Sequence, residues 1–421
     1  MSIVISGVGL ADGNSADLAI VDGRFVDAAD APGDAERIDG AGLLALPGLV
    51  DLHTHLREPG KEDAETVETG TRAAARGGYT AVFAMPNLDP TTDTAAAAPV
   101  VAELGRRDGH CEVVPIGAVT KGRDGGELAE LGLMAAQGVR VFSDDGACVH
   151  DSLTMRRALT YLKTYDGVVA QHAQDPRLAG PSACCHESEV SGRLGLPAWP
   201  SVAESVIIAR DVQLAEFTGG RYHACHISTA ESVDIIRWAK KRGKADITAE
   251  VTPHHLLLDT PHVESFDTTY KVNPPLRTNE HIEALREALV DGTIDIVGTD
   301  HAPHTQEDKD HPFDVASPGM LGLEEALAVV MELFVSTGRM DWASVVDRMS
   351  TAPARIGRLP HQGRPVAVGE PANLVLVDPS RRATVDRSRS ASKSRNNPYH
   401  GLDLPDPVQM TVWAGKVTFR R

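Results

Sequence analysis

The sequence predicts an α/β protein: a (β/α)8 barrel carrying a small β-sandwich domain formed by both termini. Three observations point there. β-rich runs alternate with helical runs through the middle of the chain, which implies a parallel sheet. Both ends of the chain have a different, all-β texture. The β-rich runs of the middle end, one after another, in polar residues capable of chemistry.

The first ~45 residues read as short strands joined by turns. "SIVISGVGL", "DLAIVDGRFVDA" and "ERIDGAGLLAL" alternate apolar and polar residues around Asp-Gly and Gly turn signals. The other end, with "ANLVLVDP" and "VQMTVWAGKVTFRR", has the same pattern. The two ends are therefore expected to pair into one domain, residues 1–48 with 359–421. Residues 49–358 are left for the barrel.

The apolar run "LLALPGLV" leads into that middle region, where the β-rich runs are "TAVFAMPN", "EVVPIGAVT", "VRVFSDDG", "GVVAQHAQD", "YHACHIST", "ITAEVTPHH" and "IDIVGTDHAPH". Between them, "AETVETGTRAAARGG", "DSLTMRRALTYLKTY", "AESVDIIRWAKKRG" and "NEHIEALREALVDG" fit the helical period, most with a Gly stop. No constant repeat period runs through the chain. In a closed barrel the C-terminal ends of the strands converge on one mouth, where active sites are built. The polar tails HTHLR, MPN, SDDG, QHAQD, CHIST and GTDHAPH then belong to one pocket.

Composition narrows the class of function. The chain has 421 residues, with 42% hydrophobic and 24% charged, as in globular proteins. Asp and Glu outnumber Lys and Arg by 59 to 41, a net charge of −18, which argues against a nucleic-acid or anionic-membrane partner. No apolar run approaches the roughly 20 residues that span a bilayer, and the N-terminus lacks a signal-type pattern. The five cysteines, Cys111, Cys148, Cys184, Cys185 and Cys225, are scattered and include no CxxC, so they read as reduced thiols. A cytoplasmic enzyme is the expectation.

His53 and His55 in "DLHTHLREPG" stand two residues apart, so on a strand they share a face. Neutral imidazole is a common ligand for zinc and similar divalent ions. A lone HxH is weak, since strands often carry alternate polar residues. His172 in "QHAQD" and His226 in "CHIST" also end β-rich runs, and each alone reads as a hydrogen-bonded core histidine. Asp300 closes the apolar run "IDIVGTD", where an uncompensated carboxylate would be costly. Two histidines, two more, then an aspartate make a specific signal. Arg57, just past the HxH, offers a planar fork that can hold a carboxylate.

Beyond these residues, "PGLVDLHTHLREPG", "MPNLDPTTD", "FSDDG", "EVTPHHLLL", "YKVNPPLR", "GTDHAPH" and "SKSRNNPYHG" resemble the amidohydrolase superfamily of metal-dependent barrels. More narrowly, the chain resembles the longer bacterial class of dihydroorotases, over essentially its whole length. The resemblance implies Zn2+, one or two ions per chain, with His53 and His55 on one metal and His172 and His226 on a second. Asp300 would sit on the first metal and serve the chemistry. Many superfamily members bridge the metals with a carboxylated lysine at the end of the fourth strand. "VRVFSDDG" has none. An aspartate takes that place in the long bacterial class, with Asp145 the better match by register and Asp144 the alternative.

The resemblance also implies a substrate side. Arg57, Asn87 in "MPN" and Asn273 in "VNPP", both asparagines read as ending strands, and His304 would grip the substrate carboxylate and ring edge, with His55 adjoining them. The backbone at Pro318 and Gly319 would touch the pyrimidine ring. His301 is not assigned a role. His254 and His255, read as adjacent residues on a strand, face opposite ways and receive supporting roles at most. The implied reaction is reversible closure of N-carbamoyl-L-aspartate to L-dihydroorotate, with Asp300 as the proton carrier. Implied partners are the small-molecule substrate and a second copy in a homodimer, with docking on aspartate carbamoyltransferase left open. The rival readings are another cyclic-amide hydrolase (hydantoinase, dihydropyrimidinase or allantoinase) and a non-catalytic scaffold for the carbamoyltransferase.

Overall fold

The computed structural model describes residues 2–421. Its centre is eight parallel strands: β1 (Leu49–Thr54), β2 (Tyr79–Ala84), β3 (Glu112–Pro115), β4 (Val141–Phe142), β5 (Val168–Gln171), β6 (Arg221–Ala224), β7 (Ile247–Val251) and β8 (Ile296–Val297). β1 to β3 pair in one run and β4 to β8 in another. Single parallel bridges join the runs, Gly117 to Phe142 on one side and Thr54 to His301 on the other. The second bridge sets the first strand beside the end of the eighth, so the sheet closes into a barrel.

A helix follows every strand: α1 (Val67–Arg76), α2 (Ala97–Asp108), α3 (Leu131–Ala136), α4 (Ser152–Leu162), α5 (Val202–Thr218), α6 (Ala230–Arg242), α7 (Asn279–Asp291) and α8 (Ala326–Val330). Local chemistry sets their ends. Thr66 and Thr69 form a capping box at the start of α1. Thr229 caps α6, whose first turn holds Glu231 and whose last turn holds Lys240, Lys241 and Arg242, matching the helix dipole. Gly219, Gly243 and Gly292 close α5, α6 and α7 in the left-handed conformation.

Alternation along the strands builds two apolar layers. Val82, Val169, Tyr222 and Ala249 pack outward with helix residues such as Ala73, Met155, Ile208 and Leu285. Ala81, Phe83, Val168, Ala170 and Ile296 form an inner cluster together with Ala352, Ala354 and Ile356. A packed interior of this kind leaves chemistry to the mouth.

Both chain ends build one further sheet of eight strands. Its order is Lys416–Arg420, Val408–Trp413, Leu374–Val377, Leu44–Pro47, Ile3–Leu10, Ser15–Val21 and Arg24–Val26, with Glu36–Asp39 also paired to Ile3–Leu10. The sheet curls, because the hairpin at Gly23 and the hairpin at Gly415 are both hydrogen-bonded to Ala372. Leu374 and Leu376 point into its own core, whereas Val375 and Val377 pack with the barrel's outer layer. The period of two thus joins the β-rich part to the barrel without an intervening linker.

Two expectations about local structure need correction. "TPHH" is not strand: β7 stops at Val251, Thr252 caps a short helix, Pro253–Leu257, and Pro253 occupies its first turn. His254 and His255 are therefore consecutive helical residues. Asn273 does not end a strand either, but lies in the irregular segment after a 3-10 turn at Thr268–Tyr270.

Candidate metal centre and substrate pocket

His53 lies on β1 and His55 one residue past its end; His172 directly follows β5. Asp145, His226 and Asp300 come two or three residues after β4, β6 and β8. The chain leaves extended geometry at several of these points. Arg57 (φ 63°), His226 (φ 29°) and Asp300 (φ 47°) all have left-handed backbone, unusual for residues with a Cβ. That turn swings each side chain from the strand direction into the mouth.

The carboxylate of Asp145 lies among four imidazoles. Its Oδ1 is 3.3 Å from His53 Nε2, 3.3 Å from His226 Nε2 and 3.5 Å from His172 Nδ1, and its Oδ2 is 3.3 Å from His55 Nε2. Asp300 Oδ1 is 3.1 Å from His55 Nε2 and 3.5 Å from His53 Nε2. His172 Nδ1 and His226 Nε2 face each other at 2.9 Å. Burial opposes ionisation of both aspartates, yet His53 beside them holds each carboxyl well below the usual range. Asp144, one residue earlier, faces away: it accepts hydrogen bonds from the Val119 and Thr120 amides at 2.8 and 3.0 Å and from the Thr120 hydroxyl.

The donor set fits a divalent metal. His53 Nε2 is buried without a hydrogen-bond partner among the described residues while pointing at two carboxylates, and nitrogen with carboxylate oxygen is the ligand chemistry of zinc-type ions. His53, His55 and Asp300 form one cluster of mutually close donor atoms, and His53, Asp145 and His226 form another.

The outer nitrogens of three of these imidazoles are fixed, as metal-bound histidines require. His53 Nδ1 meets Glu250 Oε1 at 2.5 Å, His55 Nδ1 meets Asn87 Oδ1 at 2.9 Å, and His172 Nε2 meets Gln174 Oε1 at 2.9 Å. Glu250 also accepts from the His226 amide and pairs with His223 Nε2. Asp51 accepts the amides of His53 and Thr299, tying β1 to β8. Glu250, Asp51 and Gln174 escaped the sequence reading. Asp51 and Glu250 did leave a signal, being lone carboxylates inside "LVDLHT" and "ITAEV".

A cavity of about 210 Å³ opens onto this cluster, and His55, Arg57, Asn87, Asp145, His172, His226, Asn273, Asp300, His304, Pro318 and Gly319 all line it. Arg57 is 7% exposed, donates Nε to the Pro303 carbonyl at 3.1 Å, and burial pulls its guanidinium down only to about 10, so it stays charged. His304 Nε2 is 2.9 Å from the Pro318 carbonyl and 3.4 Å from Arg57 Nη2. Burial and the Arg57 charge keep His304 neutral. Asn273 donates Nδ2 to Gln174 at 2.9 Å, while its Oδ1 is buried with no partner among the described residues. His301 faces Glu65 at 3.4 Å and receives the Gly322 amide, outside the cavity. His255 bonds the Pro274 carbonyl and Thr252. The cysteines are all unpaired.

The family model described as dihydro-orotase-like matches residues 42–232. The dihydroorotase of Streptomyces coelicolor is 59% identical, over 95% of this chain and 94% of its own. That of Mycobacterium tuberculosis is 50% identical, over 100% of this chain and 99% of its own. In fold, the chain matches an L-hydantoinase from Arthrobacter aurescens with a TM-score of 0.88 at 24% identity, covering 99% of this chain and 96% of that one. A dihydropyrimidinase from Brevibacillus agri matches with a TM-score of 0.86, also at 24% identity, covering 100% and 95%. The barrel is thus shared across cyclic-amide hydrolases, and at half or more of all positions over its full length this chain belongs to the dihydroorotase family.

Proposed function

We propose that this chain catalyses the reversible cyclisation of N-carbamoyl-L-aspartate to L-dihydroorotate in pyrimidine-nucleotide biosynthesis, as a zinc-dependent cyclic-amide hydrolase. The observation that carries this reading is one small cavity lined both by the Asp145–Asp300 cluster and by the buried Arg57 cation. Such a cavity suits a small cyclic amide that also bears a carboxylate.

In this reading His53, His55 and Asp300 would hold one ion and His172 and His226 a second, with Asp145 placed among all four imidazoles to serve both. When bound, the ions polarise the ring carbonyl and lower the pKa of water. Arg57 takes the substrate carboxylate with its free guanidinium nitrogens. Asn87 Nδ2 and the His304 ring complete that grip. Asn273 Oδ1, the unpartnered acceptor, receives a ring N–H. The backbone at Pro318 and Gly319 forms the wall against the ring. Held so, the ring carbonyl lies at the cluster, and orientation removes much of the entropic barrier.

Asp300 carries the proton. In hydrolysis, water attacks the ring carbonyl carbon, Asp300 accepts the water proton, the C–N bond breaks, and Asp300 returns the proton to the departing nitrogen. In biosynthesis the same group deprotonates the carbamoyl nitrogen as it attacks the carboxyl carbon, and passes that proton to the departing hydroxyl, which leaves as water. Residues 49–358 form the catalytic unit, and residues 1–48 with 359–421 the β-domain. The family reading further carries a cytoplasmic homodimer, with sedimentation in the presence and absence of aspartate carbamoyltransferase as its check. No helix among the described residues is long and apolar enough to cross a membrane.

The test of the activity is ring closure. Metal-loaded protein incubated with N-carbamoyl-L-aspartate should form dihydroorotate, and should reach the same equilibrium ratio starting from dihydroorotate. Absence of interconversion in both directions would sink the reading.

A further inference from the structure

The motif "SKSRNNPYH" lies outside the cavity lining, yet its middle reaches the substrate side of the barrel mouth. Asn396 is 4% exposed and makes four hydrogen bonds. Its Oδ1 accepts the His304 amide at 3.2 Å, its Nδ2 donates to the carbonyls of Ala302 at 2.9 Å and Gly319 at 3.1 Å, and its own carbonyl accepts the Leu321 amide at 3.1 Å. One side chain therefore joins the segment that follows Asp300 to the segment that carries Pro318 and Gly319.

From this we propose that Asn396 is a positioning residue for substrate binding, setting His304 and Gly319 at the carboxylate side of the pocket; the inference rests on the dihydroorotase reading above.

Three features make the placement rigid. First, the segment is anchored on both sides of Asn396. Ser392 Oγ and the Lys393 amide bond the buried Glu65 carboxylate, Ser394 Oγ donates to the Ala64 carbonyl at 2.7 Å, and Asn397 Nδ2 donates to Glu325 at 2.9 Å. Second, there is no slack between the two positioned groups. Gly319 has φ 149°, and a Cβ built there would come within 2.7 Å of His304 Nε2 and 2.9 Å of Ala302 Cβ. Its amide is held by the Lys271 carbonyl at 2.9 Å while Asn396 holds its carbonyl. Third, the task needs an amide. Asparagine alone among side chains of this length presents a donor pair and an acceptor together. A carboxylate at the same place would turn negative oxygen toward two carbonyl oxygens.

A displaced His304 or Gly319 changes the grip on the substrate carboxylate and leaves the metal cluster as it is, so binding and turnover should separate. The experiment compares Asn396→Ala and the isosteric Asn396→Asp with wild type. KM and kcat for dihydroorotate, dihydroorotate affinity by calorimetry, zinc content and Tm are read for each. Asn373→Ala serves as the control, because Asn373 is a buried amide of the terminal sheet that bonds His361 and Ala414 far from the pocket.

The expected result is a KM raised about tenfold or more in Asn396→Ala, with kcat within about threefold and zinc content unchanged. Asn396→Asp should be at least as impaired, while Asn373→Ala lowers Tm and leaves KM alone. If both Asn396 variants lower Tm with KM unchanged, or lose zinc in parallel with activity, the inference is overturned. If wild type itself neither binds nor turns over dihydroorotate, the functional reading fails first and takes this inference with it. The two failures are therefore told apart by the wild-type measurement.

Discussion

Asp144 and Asp145 are neighbours with the same side chain and unlike surroundings. Asp145 faces four imidazoles, whereas Asp144 braces the segment after β3 through Val119 and Thr120. Asp145→Asn should therefore lose most bound metal. Asp144→Asn should keep it and instead lower stability by about 1–3 kcal/mol, the cost of disturbing a buried, hydrogen-bonded group. Metal analysis and denaturant unfolding of both variants check this, and equal metal loss in the two would remove the distinction. Asp300 stands beside both His53 and His55 and carries the proton in the proposed cycle. Asp300→Asn should fold, while kcat drops by a factor on the order of 10²–10⁴, the range for a positioned acid–base group. Near-native turnover would refute the proton-transfer role.

Strands carried most of what could be read in advance. The ends of β1, β5, β6 and β8 were visible as apolar runs stopping in His or Asp, and a barrel brings such ends together whatever their separation in sequence. Less visible was how soon each strand stops: β4 and β8 are only two residues long, because the chain turns out of the sheet to aim Asp145 and Asp300. The short helix at Pro253 was misread because an apolar-to-polar run looks like a strand end whether or not a capped turn follows. Glu250 was missed as a functional residue although it is the penultimate residue of β7, since a sequence does not say which imidazole a carboxylate will face. Asn396 and Gln174 stood inside quoted stretches, "SKSRNNPYHG" and "QHAQD", but a sequence does not say which backbone groups or neighbouring side chains they will bond. Glu250→Gln should weaken metal affinity about 10–100-fold, because the carboxylate that holds His53 Nδ1 gives way to a neutral, weaker acceptor. Unchanged affinity in a chelator titration would show that His53 needs no such orientation.

At the scale of the molecule, the terminal sheet and the barrel are joined by shared apolar packing and by the Ser392–Asn397 segment, so residues from the end of the chain brace the His304 and Gly319 segments of the cavity from outside its lining. The joint includes a half-buried glutamate whose carboxyl is shielded from solvent. Glu325 is pushed up to about 8 from 4.5 by burial and by the adjacent Glu324, and it accepts a hydrogen bond from Asn397. The folded state thus holds this proton more tightly than the unfolded chain. Its contribution is fully present below about pH 4.5 and is lost as pH rises toward 8. Glu325→Gln keeps the acceptor and removes the titration, so its Tm relative to wild type should rise between pH 5 and pH 8. A constant difference across that range would contradict the placement of the proton.

The central claim is that a carboxylate-gripping cation beside a two-aspartate, four-histidine cluster selects dihydroorotate among cyclic amides. The most direct test is kcat/KM of the isolated, zinc-loaded protein on dihydroorotate, hydantoin and allantoin. The account predicts turnover of dihydroorotate with the other two slower by a factor of about 10² or more, since they offer Arg57 no carboxylate. Comparable or faster hydrolysis of hydantoin or allantoin would contradict it.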